Sequence, residues 1–153
     1  KKRLNEIEDL VEKTKKEGAK VLLGGKKPSE FNKGFYYEPT IFDDVNDDFT
    51  IMKQEPFGPL CPMLSFKTFD EIIKRANNHE LGLAAYICTN SMEQANKASE
   101  QIEVGAVAVN TPLVAQAEAP FGGIKQTGDG REGGSMAIKD YLNIKYTHLG
   151  IKG

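Results

Sequence analysis

The stretch GDGREG at 128–133 has the spacing G-x-G-x-x-G, in which backbone can wrap closely around a pyrophosphate. That chemistry needs more than three glycines. A strand must run in, a helix must lead out, and an acidic residue must follow about 20 positions later to hold a ribose. Ahead of the motif stands APFGGIKQT, with two glycines and a proline where an apolar strand would be, and too little sequence follows it for the second half of a βαβ unit. A mobile or tightly turning loop, with glycine wherever φ turns positive, accounts for the same residues. If the motif does bind a dinucleotide by itself, Gly130→Ala should abolish the binding.

A second stretch, QEPFGP at 54–59, sets Glu55 and Phe57 beside a Pro-Gly-Pro bracket at the entrance to an apolar run. A carboxylate held there could accept two hydrogen bonds from a vicinal diol, with the phenyl ring packing against a flat heterocycle. A plain turn, with an exposed acid and a core phenylalanine, fits equally. Cys61 and Cys88 lie far apart in apolar runs, as neither a disulfide framework nor a C-x-x-C pair, and read as buried free thiols. His79 and His148 have no partner at metal-ligand spacing. The run NTPLVAQAEAPFGGIKQTGDGRE (110–132) is a long loop without secondary structure, and such loops are functional or disordered.

The elements that must position these residues follow from periodicity. Leu4, Ile7, Leu10, Val11 and Thr14 make the stripe of an amphipathic helix over 4–17, stopped by Gly18. AKVLLGG reads as a short buried strand. FYYEPTIF, broken by Pro39, reads as an edge or irregular strand. LCPMLSF, LAAYICT and GAVAVN are apolar strands. The helices between them open on Thr68 with Glu71 and on Ser91 with Gln94. Strand, capped helix, strand, capped helix, strand predicts an α/β domain of three layers, with a mostly parallel sheet and helical crossovers covering both faces. YLNIKYTHL (141–149) alternates, so it reads as a half-exposed strand that closes a local edge or joins a partner's sheet.

Composition narrows the function. Net charge is −2, and no basic cluster is interleaved with aromatics, which excludes a nucleic-acid binder. No apolar run reaches the length of about 18 residues that a membrane span needs, and the first residues lack a signal peptide's apolar core, so a soluble, cytoplasmic protein is expected. A chain of 153 residues suits one domain burying about 68–70% of its unfolded surface. Its first residue is Lys1, which suggests a piece of something longer.

In order along the chain, EGAKVLLGG, GFYYEPTIF, IMKQEPFGP, GLAAYI, GAVAVN, APFGGIKQTGDGRE and YLNIKY resemble the C-terminal portion of the NAD(P)-dependent aldehyde dehydrogenase family. The flavour is closest to its succinate-semialdehyde members. The resemblance implies most of a catalytic domain over 1–139 and an oligomerisation strand over 140–153. It implies that Glu55 holds the nicotinamide-ribose hydroxyls and that Phe57 packs beside the nicotinamide. Phe121 becomes a wall of the aldehyde tunnel, with Ala115 and Gln116 near its mouth, where succinate-semialdehyde members often carry a serine.

By the same resemblance Glu132 is a carboxylate implicated in proton movement around the catalytic centre. Arg131 is structural, near a subunit contact, and GDGREG is the turn leading toward the oligomerisation strand. Family chemistry is nucleophilic, with a cysteine thiolate, a glutamate base and a Rossmann-type domain. All of these lie upstream, and neither Cys61 nor Cys88 sits in the nucleophile motif. The chain alone is therefore expected to be inactive, with NAD or NADP used by the full-length parent, an aldehyde as substrate and a homo-oligomer as the assembly. Two readings from other classes stand beside it: a non-enzymatic interaction module that uses 141–149 to associate with itself or with a full-length dehydrogenase, and the stand-alone dinucleotide binder.

Overall fold

A computed structural model describes residues 1–151 and divides the chain into a first unit, Lys1–Phe66, and a second beginning at Lys67. The first unit opens with helix α1 (Lys2–Lys16), whose buried face is Ile7, Leu10, Val11 and Thr14, four residues of the sequence stripe. Thr14 is fully buried without penalty, because its hydroxyl donates to the Leu10 carbonyl at 2.8 Å. Lys13, Lys15 and Lys16 fill the last turn, where the helix dipole favours cations. Gly18 at φ +114° then releases the chain.

Strands β1 (Lys20–Leu23), β2 (Thr40–Asp43) and β3 (Leu60–Pro62) form one sheet in the order β1-β2-β3, the first pair antiparallel and the second parallel. Helix α2 (Thr50–Lys53) is a single turn between β2 and β3. Ile7, Leu10, Val11, Ala19, Phe42 and Ile51 make the core, and burying a side chain such as Val11 contributes about 1.5–3 kcal/mol.

Two expectations change here. The run FYYEPTIF yields the central strand, not an edge, because Pro39 stops just before β2 and its missing N–H costs the ladder nothing; the Thr40 N–H goes to the Pro59 carbonyl at 2.8 Å. β1 is an edge strand and is not buried. A register slip between Val21 and Leu23 leaves both Leu22 and Leu23 exposed while Val21 packs on the core.

The second unit contains α3 (Phe69–Asn77), β4 (Leu81–Gly82), β5 (Ala84–Ile87), α4 (Met92–Gln101), β6 (Ala106–Val109) and β7 (Ile124–Lys125). β5, α4 and β6 form the expected parallel crossover, in register from Ala84 opposite Ala106 to Ile87 opposite Val109. Both predicted caps form: the Thr68 hydroxyl accepts from Glu71 N–H and the Ser91 hydroxyl from Gln94 N–H. The Glu71 carboxylate reaches back to Lys67 N–H at 2.8 Å, and that bond, ahead of its pairing with Arg75, holds the carboxyl below the usual range.

β3 pairs with β2, while β5 and β6 form a separate parallel pair. β7 pairs antiparallel with β4, so the long loop is not without structure. A two-residue ladder is too short to leave a periodicity in sequence. The alternating segment 141–149 makes no ladder among the described residues. Its first residue ends a 3-10 helix (Ala137–Tyr141), and the rest is exposed. Alternation suits a residue run to a sheet but cannot supply the partner strand. The last two positions of the 140–153 segment lie outside the described residues.

Candidate active site

Glu55 and Phe57 belong to the first unit, and their support begins at α1. The Glu17 carboxylate, just past the end of α1, accepts from Thr50 N–H at 3.0 Å and from the Thr50 hydroxyl at 2.6 Å, capping α2 from a distance in sequence. The Thr50 hydroxyl is the main reason the Glu17 carboxyl stays below its ordinary range. α2 hands over to extended Gln54.

Gly58 then presses on α1: a Cβ there would collide with Ile7 Cδ1 and stand 2.9 Å from Ile7 Cγ1. The segment is thereby pinned at both ends, with Glu55 exposed and the Phe57 ring 70% exposed. That exposure removes the plain-turn reading in its original form, which required a core phenylalanine. The Arg3 guanidinium lies 5.9 Å from the ring centroid, at the outer limit of a cation–π contact. An exposed carboxylate and an exposed ring two residues apart, on a stub that cannot swing far, can accept paired hydroxyls and present an apolar plane.

Ala115, Gln116, Phe121 and Glu132 belong to the second unit. Asn110, at φ +55°, clamps the loop's start: its side chain accepts from Thr89 N–H at 3.0 Å and donates to the Thr89 carbonyl at 2.8 Å. Phe121 and Glu132 form an antiparallel bridge, each N–H donating to the other's carbonyl at 2.7 Å. Gly133 at φ +73° tucks the chain against the carbonyls of Gln116 and Ala119, and Gly134 N–H donates to the Ala117 carbonyl at 2.8 Å. The side chains of Ala115 and Gln116 are exposed. Four predicted residues therefore share one folded-back loop. A cleft of about 370 Å³ opens beside it, with Leu83, Phe121, Thr127, Arg131, Glu132 and Asp140 in its lining.

Three supporting residues escaped the sequence reading. Lys125, at φ +57°, pairs with Glu103 at 2.5 Å and donates to the carbonyls of Asn77 and His79 at 3.0 and 3.2 Å, tying β7 to the end of α3. Asp140 accepts from Arg131 N–H at 2.8 Å, and Glu17 caps α2. Each acts across a fold-dependent distance, and no local sequence pattern marks any of them. Ahead of GDGREG stands only the two-residue β7, and no α-helix leaves it among the described residues; a glycine turn leads to the 3-10 helix instead.

Both cysteines are free and exposed, which corrects their reading as buried thiols. Cys61 lies on the outer side of β3. Cys88 follows β5 with the same alternation as exposed Tyr86. No cluster of three or more His, Cys, Asp or Glu suited to a metal is found among the described residues.

A parallel β-α-β crossover, an antiparallel pair beside it and a long glycine-rich loop clamped at both ends define part of an α/β domain. The chain belongs to the aldehyde dehydrogenase family, whose family model matches residues 1–147. It is 43% identical over 147 residues to the mitochondrial succinate-semialdehyde dehydrogenase of Arabidopsis thaliana, covering 96% of this chain and 28% of that protein. It is 43% identical over 145 residues to human retinal dehydrogenase 2, covering 95% and 28%.

Among solved structures, the NAD+ complex of an aldehyde dehydrogenase from Bacillus cereus superposes with a TM-score of 0.94 at 41% identity, covering 99% of this chain and 30% of that one. The succinate-semialdehyde dehydrogenase of Burkholderia pseudomallei superposes with a TM-score of 0.89 at 36% identity, covering 96% and 30%. The fold is therefore that of the family's α/β catalytic domain, and the chain spans under a third of the length of these relatives.

Proposed function

We propose that this chain is the portion of an NAD(P)-dependent aldehyde dehydrogenase that receives the nicotinamide end of the cofactor and walls the aldehyde tunnel, in an enzyme that oxidises an aldehyde to a carboxylic acid. The observation that carries the reading is the family match along residues 1–147, in which every candidate residue falls. The exposed Glu55 carboxylate and Phe57 ring fit a ribose diol and a flat ring, so these two would hold the nicotinamide riboside. When bound, the cofactor accepts the hydride. Phe121 walls the tunnel, Ala115 and Gln116 stand at its mouth, and Glu132 relays protons around the centre.

The thiolate nucleophile, the glutamate base and the Rossmann domain belong to the remainder of the enzyme, so this chain alone is inactive. Succinate semialdehyde is the preferred substrate, with the Gln116 amide able to donate to its distal carboxylate. Residues 1–139 make the catalytic portion, and 140–153 make the oligomerisation strand of a homo-oligomer in the cytoplasm. No helix among the described residues is long and apolar enough to cross a membrane.

The test is formation of reduced nicotinamide, followed by absorbance, with a panel of aldehydes: first the chain alone, then joined to the upstream portion of a family member. Silence alone and turnover when joined supports the reading. A folded, joined product without turnover counts against it. Turnover by the chain alone that vanishes with Cys61→Ser or Cys88→Ser would make an exposed thiol the nucleophile.

A second reading has its own observation. Ile144, Tyr146 and Leu149 are almost wholly exposed and make no ladder, which suits a strand that adds to a second copy. A purely associative module would then form oligomers without any role in oxidation. Light scattering that finds a monomer at high concentration would remove it.

A further inference from the structure

The aspartate in GDGREG stands in a chemical setting that neither the cofactor nor the aldehyde explains. Asp129 is exposed, and its carboxylate has no hydrogen bond or ion pair among the described residues. Gly130, the next residue, offers an N–H with no acceptor among the described residues and no side chain to crowd it. Gly128 on the other side has φ +111° and open space where a Cβ would stand. Arg131 completes the arrangement: one guanidinium nitrogen donates to the Asp129 carbonyl at 3.0 Å and to the Gly130 carbonyl at 2.9 Å. Its backbone N–H is held by Asp140 at 2.8 Å, which anchors the arginine's own backbone beside the peptide it contacts.

A cation bonded to a peptide oxygen draws electrons from the C–N bond and makes the attached N–H more acidic. The peptide so polarised is Asp129–Gly130, whose nitrogen lies within five-ring reach of the Asp129 carboxyl carbon.

We propose that Asp129 is a site of spontaneous succinimide formation and isoaspartate conversion, promoted by Arg131. The Gly130 nitrogen attacks Cγ of the protonated Asp129 carboxyl. A C–N bond forms, and the carboxyl hydroxyl leaves with the amide proton as one water. Water then adds to one of the two ring carbonyls. Opening at one returns aspartate; opening at the other routes the main chain through the side chain and lengthens it by one methylene. Only water is lost and regained, so no oxidant or reductant is required. The lengthened turn lies three residues before Glu132, so conversion strains the Phe121–Glu132 bridge.

The test is incubation of the purified chain in mildly acidic buffer at body temperature. Isoaspartate is counted by methyl transfer from S-adenosylmethionine with an isoaspartate methyltransferase, and located by fragmentation mass spectrometry. Asp129 should convert faster than any other aspartate of the chain, through an intermediate lighter by one water. Arg131→Ala should slow it about tenfold, the factor a hydrogen bond to a charged group is worth.

Arg131→Lys keeps the charge on a shorter, differently shaped side chain that holds the two carbonyls less well, and should fall between the two. It also serves if the alanine variant does not fold. Absence of product at Asp129, or Arg131 variants that convert as fast as the parent or faster, overturns the proposal.

Discussion

Gly105→Ala should be the most damaging single-methyl change in the glycine-rich half of this protein. Gly105 stands directly before β6 and donates its N–H to the Gly82 carbonyl at 3.0 Å. A Cβ built there would run into the Gly122 carbonyl oxygen, with Gly122 C at 2.7 Å and Gly123 Cα at 2.9 Å. All three neighbours are backbone, so none can rotate away. The φ of Gly105 lies outside the left-handed region, so the cost is steric and not conformational. Overpacking costs about 1–3 kcal/mol, and backbone obstruction puts this case at the top, about 3 kcal/mol. At roughly 2–4 °C per kcal/mol for a chain of this length, Tm should fall by about 6–12 °C.

Two glycines of the G-x-G-x-x-G motif are the controls. Gly128→Ala meets nothing within 4 Å but sits at φ +111°, so only backbone strain of about 1–2 kcal/mol applies. Gly130→Ala meets only Asp140 Oδ2 at 3.6 Å, and should stay within about 0.5 kcal/mol of the parent. Thermal melts of the three variants give the order, and hydrogen exchange at Phe121 and Glu132 reports whether the loop opens with them. If Gly105→Ala melts with Gly130→Ala, the close approach of β6 to the loop is refuted. A pyrophosphate loop would make Gly130 the sensitive position instead.

Thr40→Val removes a buried hydroxyl that accepts from Gly25 N–H and donates to the Glu38 carbonyl, both at 2.8 Å, and should cost about 2 kcal/mol in urea unfolding. Tyr37 has its phenol pushed up to about 12, first by burial and then by Glu8, Glu12 and Glu38. The folded chain thus keeps that proton where the unfolded chain, with a phenol near 10, has lost it. Stability should fall as pH rises from 10 to about 12, and Tyr37→Phe should make the fall shallower in denaturant titrations. Lys125→Met should cost about 1 kcal/mol locally, read as roughly fivefold faster amide exchange at Gln126, Phe121 and Glu132 with α1 unchanged. Equal exchange rates would mean that the lysine does not hold β7.

Local chemistry was legible wherever a signal repeats within a few residues. The buried stripe of α1, the Thr68 and Ser91 caps and the β5-α4-β6 crossover all rest on spacings of three or four or on short apolar runs, and they stand where the sequence put them. The loop from Asn110 to Glu132 stood out in the sequence by its length, but its shape was not legible there. Phe121 and Glu132 meet through two hydrogen bonds that leave no periodicity, and Lys125 and Glu17 act on partners remote in sequence. Pro39 misled in the opposite direction, since proline before a strand and proline inside one look alike until the strand's start is known.

By itself, then, the sequence determined the three longer helices, the β5 and β6 strands and the family, because helical period, capping and motif order are local properties that survive without a partner. The tertiary structure decided which faces are covered. Leu22, Cys61, Tyr86 and Cys88 sit in runs apolar enough for a core, yet they are exposed, because burial depends on a second surface arriving opposite the first. It also decided that Phe57 stands out from its turn and that Phe121 faces Glu132 across a bridge. Both follow from close approaches at glycines, Gly58 on Ile7 and Gly133 under the Gln116 carbonyl, where the absence of a Cβ lets two distant segments touch.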